Sequence, residues 1–152
     1  MMKSLCIIAC GKKKIWDKNP EAGPVKAENL YAGPFTRKCI GYAKKADFDL
    51  WCILSAKYGF LFPDEIVQGQ YSECFHRKKS DPITLDELSL QTTSKELDKY
   101  EKIVILGGNY YTLLIKKLFD EKKVYNPLYG CKGIGHMMKK LNELINTSSS
   151  QF

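Results

Sequence analysis

The sequence predicts an α/β fold: a three-layer sandwich whose central, mostly parallel sheet of about four strands carries helices on both faces. Two observations predict it. The apolar runs Leu5–Ala9, Leu50–Leu54 and Ile103–Leu106 are unbroken rather than alternating, as in strands covered on both sides. Between and after them, apolar residues recur at helical spacing. Strand–helix alternation around one core implies right-handed crossovers. At 152 residues the chain has the length of one domain. Residues 1–146 are assigned to it, with 147–152 as a frayed C-terminal tail.

The elements follow in order. Leu5-Cys-Ile-Ile-Ala9 opens the fold as a buried strand. The cluster Lys12, Lys13 and Lys14 comes after the apolar stretch, the reverse of a secretory signal. Pro34, suited to a first helical turn, begins a helix with the stripe Phe35, Cys39, Tyr42 and Ala46. Leu50–Leu54 is the second strand. Thr84-Leu-Asp-Glu87 is a capping box for a helix that runs, with a break near Thr92–Ser94, to about Tyr100. After the third strand, Asn109 is the expected N-cap of a helix burying Tyr111, Leu114, Ile115 and Leu118. A short fourth strand is expected at Val124–Asn126. The last helix starts near Gly133 and carries Ile134, Met137, Met138, Leu141, Leu144 and Ile145 on one stripe. The irregular stretch from Tyr58 to about Ile83 is long enough to be a binding loop or to hide further elements.

Composition narrows the function classes. With 44% hydrophobic and 27% charged residues, disorder and fibrous repeats are excluded. No apolar run approaches the roughly 18–20 residues of a membrane span, so no membrane partner is expected. Cys6, Cys10, Cys39, Cys52, Cys74 and Cys131 form no CxxC pair. They read as reduced thiols of a cytoplasmic protein. Two histidines without clustered Cys/His spacing give no expected metal site. The net charge is +7, with +7 in residues 1–45, −4 in 46–108 and +4 in 109–152. A basic surface formed by both ends suits an anionic partner, nucleotide or nucleic acid.

Ligands of open α/β sheets bind beyond the carboxyl ends of the strands. The first strand ends in Cys10-Gly11-Lys12, the second in Ser55-Ala56-Lys57-Tyr58, the third in Gly107-Gly108-Asn109. All three ends carry small residues, hydrogen-bonding groups or lysines. Glycines before a helix admit a ligand to the backbone. Gly133 and Gly135 repeat that device before the last helix. No GxGxxG follows the first strand and no Walker sequence occurs, so no cofactor is expected. Lys57, expected to be partly enclosed, is the leading candidate for chemistry, with Ser55 and Asn109 beside it. Cys10, Gly11, Lys12, Gly107, Gly108, Gly133 and Gly135 are the expected ligand contacts. Tyr58 and Tyr71 are the expected stacking rings. Tyr31 and Tyr111 are expected to pack in the core.

Several stretches carry a family resemblance: Ile8-Ala-Cys-Gly-Lys-Lys13, Leu30–Lys38, Ile53-Leu-Ser-Ala-Lys-Tyr-Gly59, Leu106-Gly-Gly108 and Asn126–Gly135. Together they resemble uncharacterised small bacterial, archaeal and phage proteins, some labelled YaaA-like or peroxide-stress-related. The likeness spans about residues 5–145 and implies a site at the strand ends without naming a reaction. More remotely, the element order is similar to domains related to uracil-DNA glycosylases and to accessory domains of archaeal tRNA-deazaguanine enzymes. Those glycosylases carry a water-activating Asp motif after the first strand, where this chain has Cys10-Gly11-Lys12. The leading expectation is a protein that binds or acts on a nucleotide, nucleobase or nucleic acid, as a hydrolase of an N-glycosidic or related bond. The alternative is a non-catalytic nucleic-acid-binding or small-ligand-sensing domain.

Overall fold

In the computed structural model, residues 2–75 and 79–147 are described. In chain order they form β1 (Ser4–Ala9), α1 (Ile15–Lys18), β2 (Val25–Lys26), α2 (Ala27–Leu30) and α3 (Pro34–Lys45). There follow β3 (Leu50–Ser55), β4 (Gly59–Leu61), β5 (Ile66–Val67) and α4 (Leu85–Ser94). The chain continues with β6 (Lys102–Leu106), α5 (Asn109–Leu118), β7 (Val124–Tyr125) and α6 (Gly133–Thr147). The main sheet has five strands in the order β4-β3-β1-β6-β7. Strand β1 lies parallel between β3 and β6, β7 continues parallel to β6, and β4 runs antiparallel to β3. This is the expected α/β sandwich, with one strand more than the four expected.

Its two cores explain those unbroken runs. Alternate residues of a strand face opposite sides of the sheet. Cys6 and Ile8 of β1 join Cys39 and Ile40 of α3 and Met137 and Leu141 of α6 in one cluster. Leu5 and Ile7 join Leu88 of α4 and Tyr111 and Ile115 of α5 in the other. All four of these β1 residues are fully buried.

Several boundaries differ from expectation. Strand β4 is a hairpin on β3, turned at Gly59 with φ +76, and lies inside the stretch read as irregular. So does β5, which pairs antiparallel with β2 in a separate two-stranded ribbon. At two and three residues these strands are too short to show periodicity. Helix α4 is capped by Thr84, whose side chain accepts from Glu87 N. It closes at Ser94, and Glu96 at φ 57 separates it from the single turn Leu97–Lys99. The N-cap of α5 is Gly108, so Asn109 is its first helical residue. On α6, Met137 and Leu141 are buried, whereas Ile134 is 59% exposed. Thr147 is the last residue of α6, and the rest of the expected frayed tail, 148–152, lies outside the described residues. Among the described residues, no helix is long and apolar enough to cross a membrane. The six cysteines are free thiols.

Candidate functional site

Because β3, β1 and β6 are parallel neighbours, their carboxyl ends meet along one edge. Cys10 N still donates to Leu54 O at 3.2 Å, extending the β1 ladder by one bond. The next residues leave the sheet against the start of α3. A Cβ on Gly11 would stand 2.5 Å from Thr36 Oγ1, so only glycine makes this approach. Lys14 then forms a β-bridge with Tyr31, which turns its side chain inward. Lys12 and Lys13 are exposed, but Lys14 is only 6% exposed. Its ammonium donates to Lys12 O at 3.2 Å and lies 4.3 Å above the centre of the Tyr71 ring.

Asp17 fastens a second segment over this exit. Its carboxylate accepts from Lys14 N at 2.8 Å and from Gln70 Nε2 at 2.9 Å. Gln70 Oε1 in turn accepts from Tyr71 N at 3.1 Å. The Tyr71 hydroxyl shares a hydrogen bond with that of Tyr31 and accepts from Ser55 Oγ at 3.1 Å. Ser55 Oγ accepts from Lys57 N and Tyr58 N at 3.2 and 3.1 Å.

Around these groups opens a cavity of about 660 Å³. It is lined by Cys10, Gly11, Lys12 and Lys14, by Asp17, by Gln70 through Phe75, and by Tyr111. The Phe75 ring centre is 6.0 Å from those of Tyr110 and Tyr111. Burial pushes the Cys10 thiol up, opposed by the Ala56 N–H, the Tyr111 hydroxyl and the Lys14 ammonium. Burial likewise raises the Tyr71 and Tyr111 phenols, which therefore act as neutral hydroxyls.

A second hollow of about 520 Å³ opens where β6 enters α5 and the chain approaches α6. Gly107, Gly108, Asn109, Tyr129, Gly130 and Gly133 are among its lining residues. Buried Asn126 holds its walls together. Asn126 Nδ2 donates to Gly107 O at 3.1 Å and Thr112 Oγ1 at 2.7 Å, and Oδ1 accepts from Leu128 N at 2.8 Å. A Cβ on Gly107 would stand 2.8 Å from Ala9 Cβ and 3.4 Å from Tyr111 Cδ2. Tyr111 of the first hollow thus lies against Gly107 of the second.

The expected residues divide between these places. Cys10, Gly11, Lys12 and Tyr71 line the first hollow, and Gly107, Gly108, Asn109 and Gly133 the second. Ser55 is fully buried and touches Tyr71 rather than either cavity. Lys57 corrects the expectation of enclosure: it is exposed, with its ammonium 5.3 Å above the Tyr58 ring. The chain turns at Ala56–Tyr58 into β4, which carries Lys57 to the hairpin tip. Tyr58 is half-buried, its ring edge-on to Tyr71 at 5.6 Å. Gly135 is exposed on α6 and lines neither hollow. Sequence reasoning missed Lys14, Asp17, Gln70, Glu73, Cys74 and Phe75; Tyr111 packs in the core as expected and also lines the first hollow. The Lys14–Asp17 spacing, that of a residue capping its own turn, was the one local signal.

The architecture defines an α/β sandwich whose polar hollows gather at the carboxyl ends of parallel strands, where such folds hold ligands. The chain belongs to a family of unknown function, DUF6884, whose model matches residues 5–143. It is 46% identical over 145 residues to the uncharacterised protein YfjM of Bacillus subtilis (strain 168), covering 95% of this chain and 96% of that protein. Neither match bears the YaaA-like label. No solved structure matches the chain.

Proposed function

We propose that the protein binds a nucleotide in the hollow at the β1 exit, its anionic group against Lys14 and Lys12 and its base beside Phe75 and Tyr111. The buried Lys14 ammonium in an aromatic-walled cavity carries this reading. An ammonium offers only donors, which suit the anionic oxygens of a phosphate. Asp17 lines the same cavity, its carboxylate accepting from Lys14 N and Gln70. The volume suits a ligand of nucleotide size, since small-molecule pockets run about 300–1,000 Å³.

Ser55 is read as a positioning residue acting through Tyr71, and Lys57 takes no part. If the bound nucleotide is hydrolysed, a lining carboxylate, Glu73 or Asp17, is the candidate to activate water. Isothermal titration with purine and pyrimidine nucleotides tests the proposal. Binding by the wild type, its loss in Lys14→Met and its retention in Lys57→Ala support it. No heat with any nucleotide, or equal affinity in Lys14→Met, overturns it. A non-catalytic nucleic-acid-binding reading draws on the net charge of +7. It predicts steeply salt-dependent association with short DNA or RNA.

A further inference from the structure

The first cavity is lined by two free cysteines that come from very different parts of the fold. Cys10 sits at the end of the central strand, held by its N–H bond to Leu54 O. Cys74 sits in the irregular segment that crosses the cavity, where its N–H donates to Ser80 Oγ at 2.7 Å. One ring connects them. The Tyr111 hydroxyl is 4.0 Å from Cys10 Sγ, and Phe75, next in the chain after Cys74, packs edge-on against the Tyr111 ring at 6.0 Å. The other cysteines are placed differently. Cys6, Cys39 and Cys52 are fully buried in the two cores, and Cys131 lines the second hollow.

We propose that Cys10 and Cys74 form an oxidisable thiol pair whose disulfide fastens the crossing segment to the end of β1 and closes the first cavity. The oxidant is a low-molecular-weight disulfide. The Cys74 thiolate attacks one of its sulfurs, which forms a mixed disulfide and releases one thiol. The Cys10 thiolate then attacks the Cys74 sulfur and releases the second thiol. Two electrons pass from the cysteine sulfurs to the oxidant, and the two protons leave on the released thiols. A covalent link here joins the segment to the central strand of the sheet, whatever ligand the cavity takes.

The test uses the reduced full chain, incubated with oxidised glutathione under native conditions, blocked with N-ethylmaleimide and mapped by peptide mass spectrometry. The expected product has lost two hydrogens and yields a Cys10–Cys74 cross-linked peptide, absent in Cys74→Ser. Proteolysis within the 68–83 stretch slows in the oxidised chain and recovers its original rate with dithiothreitol. Glutathione retained on a single cysteine overturns the proposal, as does a cross-link between other cysteines or no reaction at all. So does a cross-linked chain whose proteolysis is unchanged. Nucleotide binding by the reduced chain is a separate readout, so failure of the thiol pair leaves that proposal standing.

Discussion

Ser55 Oγ accepts two backbone N–H groups, from Lys57 and Tyr58, so its one proton is directed to the Tyr71 hydroxyl. The Tyr71 hydroxyl also meets Tyr31, and all three side chains are at least nine-tenths buried. Tyr71→Phe therefore removes a partner from the buried hydroxyls of Ser55 and Tyr31, a loss of about 1–3 kcal/mol for each group left unsatisfied. Urea unfolding should show a lower midpoint with an unchanged slope, and an unaltered midpoint would mean that the hydroxyls find new partners. Lys14 and Lys57 form the contrasting pair. A hydrogen bond to a charged group contributes about 1.5–3 kcal/mol, so Lys14→Met should weaken nucleotide affinity roughly ten- to hundredfold. Lys57→Ala, at the exposed hairpin tip, should leave it unchanged in the same titration. At this scale the sequence is nearly silent. Lys12, Lys13 and Lys14 are chemically identical, and only the bridge to Tyr31, contributed from seventeen positions further on, turns the third one inward.

Elements were legible where burial leaves a pattern. Strands β1, β3 and β6 are buried on both faces and appear as unbroken apolar runs, while α3 and α4 carry their own start signals in Pro34 and Thr84. Strands β4 and β5 have no such mark, because two or three residues define no period. What holds β4 is a side chain 31 residues beyond Phe60: Gln91 Oε1 accepts from Phe60 N at 2.8 Å, and its Nε2 donates to Tyr58 O at 3.0 Å. Gln91→Ala leaves that N–H and that carbonyl unpartnered in a partly buried place, so it should cost about 1–3 kcal/mol. Hydrogen exchange should show the Phe60 amide losing protection ahead of the amides of β1. Gly107→Ala tests the β6 exit, where a methyl would stand 2.8 Å from Ala9 Cβ. Both atoms are fixed to backbone, so the strands must separate locally, at about 1–3 kcal/mol for overpacking. A thermal midpoint equal to wild type would show that the edge yields freely.

Across the whole molecule the net charge of +7 is carried by surface lysines, whereas the groups that link stability to pH lie inside. Burial pushes up the thiols of Cys6, Cys10 and Cys39, and Cys52 to about 12 from an ordinary 9.0. It also raises the phenols of Tyr31, Tyr71 and Tyr111, and Tyr42 to about 12 from 10.0. These acids are neutral in both folded and unfolded chains below about pH 8, so their burial is then unopposed by ionisation. Above it the unfolded chain releases protons that the folded chain retains. The unfolded state then binds fewer protons, and stability falls as pH rises. Each unit between the unfolded and folded values is worth about 1.4 kcal/mol, so Cys52 alone should lose of order 2 kcal/mol by about pH 10.5. Urea midpoints should therefore be level from pH 7 to 8 and decline steeply through pH 9–11. In Cys52→Ala the midpoint should start lower, because a buried side chain is truncated, and should decline with a shallower slope. A wild-type midpoint flat to pH 10.5 would mean that the folded thiols and phenols ionise as readily as unfolded ones, which a dry interior on both faces of β1 does not allow.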